Sequence, residues 1–385
     1  MAKIIKATIG YSEMPAGFPI LISDQMAIIE PAFAYLLELA TIPGRSHAVE
    51  TVRTYGEHLH DWFDSLEQSG LDWRTVSEVD IAAYRNRMLS QPSPHTMRPY
   101  ARSTINDRVR TICRFYAWAH DRGWIEELPF HFVDVRTATG RRQAFLAHLD
   151  TRPGMTMANI LTVAEHERLP RPLRVDQLRQ LFVRLDMPYR LMAEWALATG
   201  PRRKELCGLA VFQVPETAHL NDEEYPLVGV PLTITKGDRP RNVYPPIRLV
   251  DRTHHYIDEA RGPQVRALRR ERPGYRTPAA LFLNRQGQAI TNARLSAAFA
   301  GAFRAAGLPG SLHWLRHTFA MTMLVRLQRQ AASAPDLNPL KVVQVLLGHS
   351  SIHSTAIYLR CVELNARELA SSIDYLYGEL VPDGR

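Results

Sequence analysis

Apolar residues in the N-terminal third of the chain recur at intervals of three and four, which is the spacing of one face of an α-helix. A first stripe runs through residues 51–69 and a second through residues 105–119. Between them, Ser77 followed by Asp80 is typical of the start of another helix. The members of the two stripes are Val52, Tyr55, Leu59, Trp62, Phe63 and Leu66, and then Ile105, Val109, Ile112, Tyr116 and Ala119. Consecutive amphipathic helices must bury these faces against one another, so a helical domain is predicted over residues 46–132.

The pattern changes in the second half of the chain. Residues 226–247 contain β-branched and aliphatic runs on either side of a Gly-Asp turn, which predicts an antiparallel hairpin, and helical patterns precede and follow it. At 385 residues the chain is too long for one ordinary core. The predicted fold class is mainly α with a small antiparallel β-sheet, in which a helical N-terminal domain precedes a mixed α/β domain over residues 173–385.

Two segments fall outside these domains. Residues 1–45 have no clear role. Residues 133–172 mix Gly, Pro and Arg without periodicity, which predicts a basic linker, with a short helix over residues 155–166 as one option.

The chain is basic, with a net charge of +8 and a pI of about 9.5, which indicates a polyanionic partner, either nucleic acid or an anionic membrane. Of the 47 basic residues, five are lysines. Bidentate binding of phosphate and codon usage in a GC-rich genome explain this excess of arginine equally well. The helix after residue 101 carries four arginines away from its apolar stripe, which are candidate DNA contacts or an ordinary solvated face: Arg102, Arg108, Arg110 and Arg114.

Targeting signals and cysteine frameworks are not indicated. The apolar segment 26–40 is interrupted by Glu30, Pro31 and Glu38, so neither a signal peptide nor a membrane span is predicted. The three cysteines are isolated, which argues against a disulfide framework or a zinc site. We therefore expect a cytoplasmic protein with no membrane partner.

Two segments of the second block place basic residues at turns. In ATGPRRKELCGL, residues 198–209, a helix is predicted to end at Gly200 and another to begin near Pro201. Arg202 and Arg203 then lie at a helix N-terminus, which favours the binding of anions. The alternative is that they are two solvated surface arginines. Lys236 falls at the predicted hairpin tip. A lysine there can act as a proton donor, whereas arginine cannot, and a solvated loop residue is the alternative.

Two further segments combine histidine with arginine or tyrosine. His313, Arg316 and His317 share one helix face, and because no carboxylate lies between the histidines, an anion site fits better than zinc. The alternative is the polar edge of an amphipathic helix. In LLGHSSIHSTAIYLR, His349 follows a predicted helix end and Tyr358 comes nine residues later in a predicted short helix, where a packed tyrosine is the alternative.

The four segments together resemble the tyrosine recombinase (phage integrase) family. TG-x-R-x-x-E, a hairpin lysine, H-x-L-R-H and LGH-x8-Y occur in that order, and the resemblance spans about residues 170–375. The helical block before it is similar to the core-binding domain of the family. The departures are Pro201 and Lys204, where bulky aliphatic and small polar residues are usual, and long inserts such as residues 214–226.

The resemblance implies a role for each matching residue. Tyr358 matches the nucleophile, while Glu205 and His317 match residues that support the site from behind. His313 is expected to take the proton of Tyr358, and Lys236 to protonate the leaving 5′-oxygen. The catalytic set implied in this way is Arg202, Lys236, His313, Arg316, His349 and Tyr358.

The implied activity is that of a site-specific DNA recombinase or integrase. It would cut and rejoin strands through a 3′-phosphotyrosyl link without metal, ATP or other cofactor. The resemblance further implies a tetramer on two double-stranded DNA sites, a Holliday junction intermediate and a location on the prokaryotic nucleoid. The tail after Tyr358, residues 363–380, is amphipathic and is expected to pack on a neighbouring protomer or on its own domain.

Two other classes of protein share part of this pattern. A type IB topoisomerase or a telomere resolvase uses related chemistry, but the LGH-x8-Y spacing and the helical N-terminal block favour a recombinase. A catalytically idle architectural DNA-binding protein would keep the basic charge. It would have no need of the complete residue set.

Overall fold

The chain folds into two compact units, residues 1–167 and residues 168–385. In the computed structural model, the residues whose structure is described are 2–8, 14–41, 49–94, 96–136, 155–159, 161–165, 169–217, 227–235, 240–331, 337–349, 351–352 and 354–359.

The N-terminal unit is a group of four helices accompanied by short strands. Its elements are β1 (Lys3–Lys6), β2 (Pro19–Ile22), α1 (Glu30–Thr41), α2 (Val49–Ser69), α3 (Glu78–Ser90), α4 (Arg102–Asp121), β3 (Phe132–Arg136) and β4 (Met155–Asn159). The strands β1 and β2 pair antiparallel, with Lys3 opposite Ile22. This pair and α1 lie in the segment to which the sequence assigned no role.

The two apolar stripes form the core of this unit. Helix α2 buries Val52, Leu59, Trp62, Phe63 and Leu66, and α4 buries every member of its stripe. The helix predicted after Ser77 is confirmed, since the Asp80 carboxylate accepts a hydrogen bond of 2.9 Å from the Ser77 amide at the start of α3.

The segment predicted to be a basic linker contributes to a pair of antiparallel strands. Strand β3 pairs antiparallel with β4 over five residue pairs, from Phe132–Asn159 to Arg136–Met155. The option of a helix over residues 155–166 is therefore wrong, because Met155–Asn159 pairs with a strand some twenty residues earlier, and such a partner leaves no local signal. Residues 161–165 return to α4, where the buried Asn106 side chain bonds both the amide and the carbonyl of Val163.

The described residues of the second unit form helices and one small antiparallel strand pair. Its elements are α5 (Val175–Val183), α6 (Tyr189–Thr199), α7 (Arg203–Cys207), a 3₁₀ turn (Val211–Gln213), β5 (Val230–Leu232), β6 (Arg241–Val243), α8 (Ile247–Tyr256), a π-helical turn (Ile257–Arg261), α9 (Gly262–Glu271), α10 (Asn292–Ala305), α11 (His313–Ala331) and α12 (Pro339–Leu347). A short helical turn over residues 354–359 follows α12.

Two apolar clusters position the elements of this unit. The larger one includes Trp195 of α6, Phe299 of α10 and Leu315 of α11. A smaller one joins α11 to α12 through Phe319, Leu324, Val343 and Leu347. The predicted hairpin is confirmed, because β5 and β6 pair antiparallel with Val230 opposite Val243. The mainly α fold class with small antiparallel sheets is confirmed as well.

Across the described ranges, no helix has both the length and the apolar character needed to cross a bilayer.

Trp62 is expected to be a principal contributor to the stability of the N-terminal unit. It is 1 % exposed and meets Tyr84 and Tyr116 edge to face. Trp62→Ala should lower the free energy of unfolding by about 3–5 kcal/mol, because it leaves a cavity and removes the aromatic contacts. Urea denaturation of the full-length chain measures this. Val79→Ala, at a position 75 % exposed, is the control and should change stability by less than about 0.5 kcal/mol.

Candidate active site

Two helix ends in the second unit provide the framework of the candidate site. Helix α6 ends at Gly200 and α12 ends at Gly348, and both glycines have a left-handed backbone with φ near 60°. A side chain is excluded at Gly200, because a Cβ would lie 2.5 Å from the Phe319 ring. These two turns leave the last carbonyls of each helix available as acceptors, at the negative end of the helix dipole.

Three arginines bind three consecutive carbonyls at the end of α12. Arg241 donates to the carbonyl of Leu346, Arg316 to that of Leu347 at 2.8 Å, and Arg202 to that of Gly348 at 3.1 Å. Arg316 also donates to the carbonyl of Gly200, so its guanidinium joins the ends of α6 and α12. We call Arg202, Arg241 and Arg316 the arginine cluster.

A single buried carboxylate pairs with two members of the cluster. Glu205 has a side-chain exposure of 0 %, and its Oε1 lies 2.9 Å from Arg202 Nη1 while its Oε2 lies 2.8 Å from Arg241 Nη2. Burial opposes ionisation of this carboxyl group, but the hydrogen bonds and charge of Arg241, together with Arg202, keep its pKa below the usual value. An ionised Glu205 therefore holds both arginines in place.

The histidines connect the cluster to the tyrosine. His349 Nε2 lies 3.1 Å from Arg316 Nη2, and its Nδ1 lies 2.8 Å from the hydroxyl of the buried Thr355. His317 Nδ1 lies 3.0 Å from the Tyr358 hydroxyl. The rings of His313 and His317 meet edge to face with centroids 4.4 Å apart.

Tyr358 is itself a core residue. It is 2 % exposed and belongs to the small cluster between α11 and α12, and its ring lies nearly parallel to that of His349 at 6.4 Å. Its packing and its polar contact thus coexist, since the ring fills the apolar cluster while the hydroxyl faces His317. The short helix expected to carry this tyrosine is confirmed.

Burial, reinforced by the neighbouring positive charges, keeps the histidines neutral. Burial, followed by the charge of Arg316, lowers the pKa of His349 to about 4. Burial and the neighbouring His313 and Arg316 lower the pKa of His317 to about 4. Partial desolvation, followed by the charges of Arg316 and Arg202, lowers the pKa of His313. Burial lowers the pKa of Arg316 to about 9, so its guanidinium stays charged at neutral pH.

The site carries excess positive charge in a buried setting, which suits an anion. The arginine cluster brings three positive charges, and Glu205 supplies one negative charge to it. Arg202 retains 27 % side-chain exposure and His313 is exposed, so the site is open to solvent on their side. Within the described residues, no group of three or more His, Cys, Asp or Glu side chains could hold a metal ion.

The structure brings together all but one of the residues that the sequence selected for this site. Arg202, Glu205, His313, Arg316, His317, His349 and Tyr358 are linked in one network, whereas Lys236 lies outside the described residues. Arg203 bonds the Ser296 hydroxyl instead, which leaves Arg202 as the arginine of this segment in the cluster. The tail over residues 363–380 also lies outside the described residues.

Sequence reasoning missed Arg241 and Thr355. Arg241 follows the hairpin lysine by five residues, and nothing in its local sequence separates it from the nearby Arg239. Thr355 lies in a stretch of small polar residues between His349 and Tyr358, and its local sequence gives it no particular role. Both become significant through contacts with residues more than five positions away, which the sequence does not display.

The four arginines proposed as DNA contacts in the N-terminal unit differ in their surroundings. Arg108 is half-buried, lies 2.5 Å from the Asp61 carboxylate and stacks on Tyr100. Arg114 bonds the Tyr55 hydroxyl. The other two bond the returning segment, Arg102 at the carbonyl of Ala164 and Arg110 at the Glu165 carboxylate. Arg102, Arg110 and Arg114 remain exposed.

Solved structures share this fold. A XerH site-specific recombinase bound to a palindromic difH substrate in a post-cleavage complex matches with a TM-score of 0.55 at 17 % identity, over 92 % of this chain and 89 % of that one. A lambda integrase (75–356) dimer bound to a COC′ core site matches with a TM-score of 0.54 at 14 % identity, over 86 % of this chain and 94 % of that one.

Sequence comparison identifies the family. The phage integrase family matches residues 171–363, and the phage integrase N-terminal SAM-like domain matches residues 35–123. A tyrosine recombinase XerC of Halalkalibacterium halodurans is 26 % identical over 334 residues, covering 84 % of this chain and 91 % of the relative. A tyrosine recombinase XerD of Listeria monocytogenes is 31 % identical over 223 residues, covering 55 % of this chain and 65 % of the relative.

The chain belongs to the phage integrase family. The enzyme class expected from its motifs, a tyrosine-type site-specific recombinase, is confirmed.

The neutral histidines should make the fold sensitive to acid. The pKa values of His317 and His349 are about 4 in the folded chain, against 6.5 for an unperturbed histidine. Between these values the unfolded chain binds more protons, so stability should be complete above pH 6.5 and fall as the pH drops towards 4. Melting temperatures of the DNA-free protein across this range measure the effect.

Replacement of both histidines by glutamine should weaken this dependence on pH. His255→Gln, at an exposed position, is the control and should leave the pH profile as in the wild type. An unchanged profile in the double variant would contradict the assignment of neutral, half-buried rings.

Proposed function

We propose that this protein cleaves and rejoins double-stranded DNA at specific sites through a covalent 3′-phosphotyrosyl intermediate on Tyr358. The observation that carries the proposal is a tyrosine hydroxyl held by a histidine within one network that contains three arginines and a single carboxylate. An anion site with an adjoining nucleophile is the arrangement required for attack on a phosphodiester.

The phosphate would be bound by Arg202, Arg316 and His349. When the tyrosine oxygen attacks, negative charge builds up on the non-bridging oxygens of phosphorus. Donors already fixed at that position stabilise this charge without reorganising, and each contributes about 3–4 kcal/mol by analogy with an oxyanion hole. The carbonyls of Gly200 and Leu347 and the carboxylate of Glu205 fix two of these donors before DNA binds.

Two proton transfers accompany the exchange of bonds at phosphorus. A bond forms between the Tyr358 oxygen and phosphorus while the bond from phosphorus to the 5′-oxygen breaks. The tyrosine proton moves to a histidine, and Lys236 supplies a proton to the leaving 5′-oxygen. The sequence favoured His313 as the acceptor, whereas the contact of 3.0 Å favours His317.

The reaction is reversible and needs no cofactor in this scheme. The phosphotyrosyl bond preserves the phosphodiester for attack by a different 5′-hydroxyl, so neither ATP nor a metal ion is required. Exchange between two DNA sites would pass through a Holliday junction held by a tetramer. The protein would act in the prokaryotic cytoplasm, on the nucleoid.

The domains would divide the work between them. Residues 46–132 would grip the core of the DNA site, with Arg102, Arg108, Arg110 and Arg114 as candidate contacts, and residues 173–385 would perform the chemistry. Residues 133–172 would connect the two. In support, the SAM-like domain of the family matches residues 35–123 and the catalytic family match begins at residue 171.

Tyr358→Phe should abolish covalent attachment to DNA while leaving DNA binding intact, because phenylalanine keeps the packed ring and lacks the attacking oxygen. Nicked duplexes made from fragments of host DNA trap the covalent adduct, because the cleaved end dissociates and cannot be rejoined. Sequencing of the trapped DNA then identifies the site. Denaturing gels then measure the adduct and gel shifts measure binding. An adduct formed by Tyr358→Phe would contradict the assignment of the nucleophile.

The two candidate bases should separate in single-turnover cleavage. If His317 accepts the proton of Tyr358, His317→Gln should slow adduct formation by about 10²–10⁴-fold at neutral pH, and raising the pH should restore part of the rate. His313→Gln should then show a weaker dependence on pH. The opposite ranking, with restoration confined to His313→Gln, would return the role to His313.

A further inference from the structure

Arg241 joins three separated segments of the catalytic unit. It is the first residue of β6, and its side chain is 9 % exposed. Its Nη2 lies 2.8 Å from Glu205 of α7, and its Nη1 donates to the carbonyl of Leu346 in α12. Its stem passes so close to Gly348 that a Cβ there would lie 2.4 Å from Arg241 Cδ. This side chain therefore determines how the hairpin, α7 and the end of α12 meet.

The position of Arg202 depends on this contact through the shared carboxylate. Glu205 Oε2 accepts from Arg241 Nη2 at 2.8 Å and from the Arg202 amide at 2.7 Å, while Oε1 accepts from Arg202 Nη1 at 2.9 Å. Without Arg241, the Glu205 carboxylate would lose one of these three hydrogen bonds and keep the two to Arg202. It would then be free to turn. The guanidinium of Arg202, which reaches the open side of the site, would then turn with the carboxylate.

The position of His349 depends on the same side chain through α12. Arg241, Arg316 and Arg202 bind the carbonyls of residues 346, 347 and 348 in succession, directly before His349. Two of these arginines are candidate phosphate ligands and will exchange part of their contacts when DNA binds. Arg241 is not among the proposed phosphate ligands, and both of its contacts are to the protein, to Glu205 and to the carbonyl of Leu346. It is therefore the member that can keep the end of α12 in place during the reaction.

We infer that Arg241 is a positioning residue of the recombination site, which orients Glu205 and the end of α12 and thereby places Arg202 and His349 against the phosphate. The inference rests on the proposed function and adds a residue to it. Arginine suits the position because its planar fork reaches two acceptors at once, and lysine offers a single ammonium group.

The charge of Arg241 has a separate consequence at His349. Burial is the main reason that the pKa of His349 is low, and the charges of Arg316, Arg202 and Arg241 lower it further. The other titratable groups of this network are Glu205, Arg202, Arg316, His313, His317 and Tyr358. Removal of the Arg241 charge should raise the pKa of His349, whereas a lysine at this position should keep it low.

Single-turnover cleavage of the trapping substrate by the full-length protein tests the inference. Arg241→Met and Arg241→Lys should both slow adduct formation at saturating DNA by about 10²-fold, the usual effect of a small misplacement of reacting groups. DNA affinity should stay close to that of the wild type. The control is Arg252→Gln, which removes a half-exposed arginine paired with Glu194 at 2.7 Å, and it should cleave like the wild type.

A titration of His349 by NMR in the DNA-free protein provides a readout that loss of stability alone would not move. The pKa should rise in Arg241→Met and stay near the wild-type value in Arg241→Lys. Should Arg241→Met fail to fold, Arg241→Lys still tests the geometry, because it keeps the charge and loses the fork.

Each outcome separates this inference from the proposed function. The positioning role is supported if the wild-type protein cleaves the substrate and both Arg241→Met and Arg241→Lys cleave it slowly. Wild-type rates in Arg241→Lys would reduce the role of Arg241 to its charge, and wild-type rates in both variants would remove any role; either result overturns the inference while leaving the proposed function intact. Failure of the wild type itself to form an adduct would overturn the proposed function.

Discussion

The candidate site depends on the capture of arginine side chains by the ends of two helices. Arg316 is 1 % exposed. Its charge is tolerated there because its guanidinium donates hydrogen bonds to the carbonyls of Gly200 and Leu347, at the negative ends of α6 and α12. Both ends exist because glycine allows the left-handed turn that terminates each helix. A positive group fixed in this way is organised before any DNA phosphate arrives, which is the condition for electrostatic stabilisation of a transition state.

The same arrangement explains how Tyr358 can be a core residue and also the proposed nucleophile. Its ring contributes to the apolar cluster that fastens α11 to α12, while its hydroxyl meets a neutral histidine at the rim of that cluster. Burial, followed by the neighbouring His313 and Arg316, keeps His317 unprotonated, so its ring has a lone pair available for a proton. Packing and chemistry thus use different parts of one side chain.

Much of the fold could be predicted because its signals are local. The stripes of α2 and α4, the Ser77–Asp80 start of α3 and the glycine that ends α6 each lie within a few residues of the feature they specify. The hairpin of β3 and β4 could not be predicted, since strand pairing depends on a partner distant in sequence. Arg241 was missed for a similar reason, because its partners lie 36 and 105 residues away.

The sequence by itself determined the candidate residues and their family, because the order and spacing of TG-x-R-x-x-E, H-x-L-R-H and LGH-x8-Y are properties of the chain alone. Tertiary structure decided which histidine meets the tyrosine and which additional arginine secures the cluster. These choices rest on distances of about 3 Å between groups from different helices or from a helix and strand β6. Packing of α6, α7, α11 and α12 sets those distances, and periodicity along the chain does not encode them.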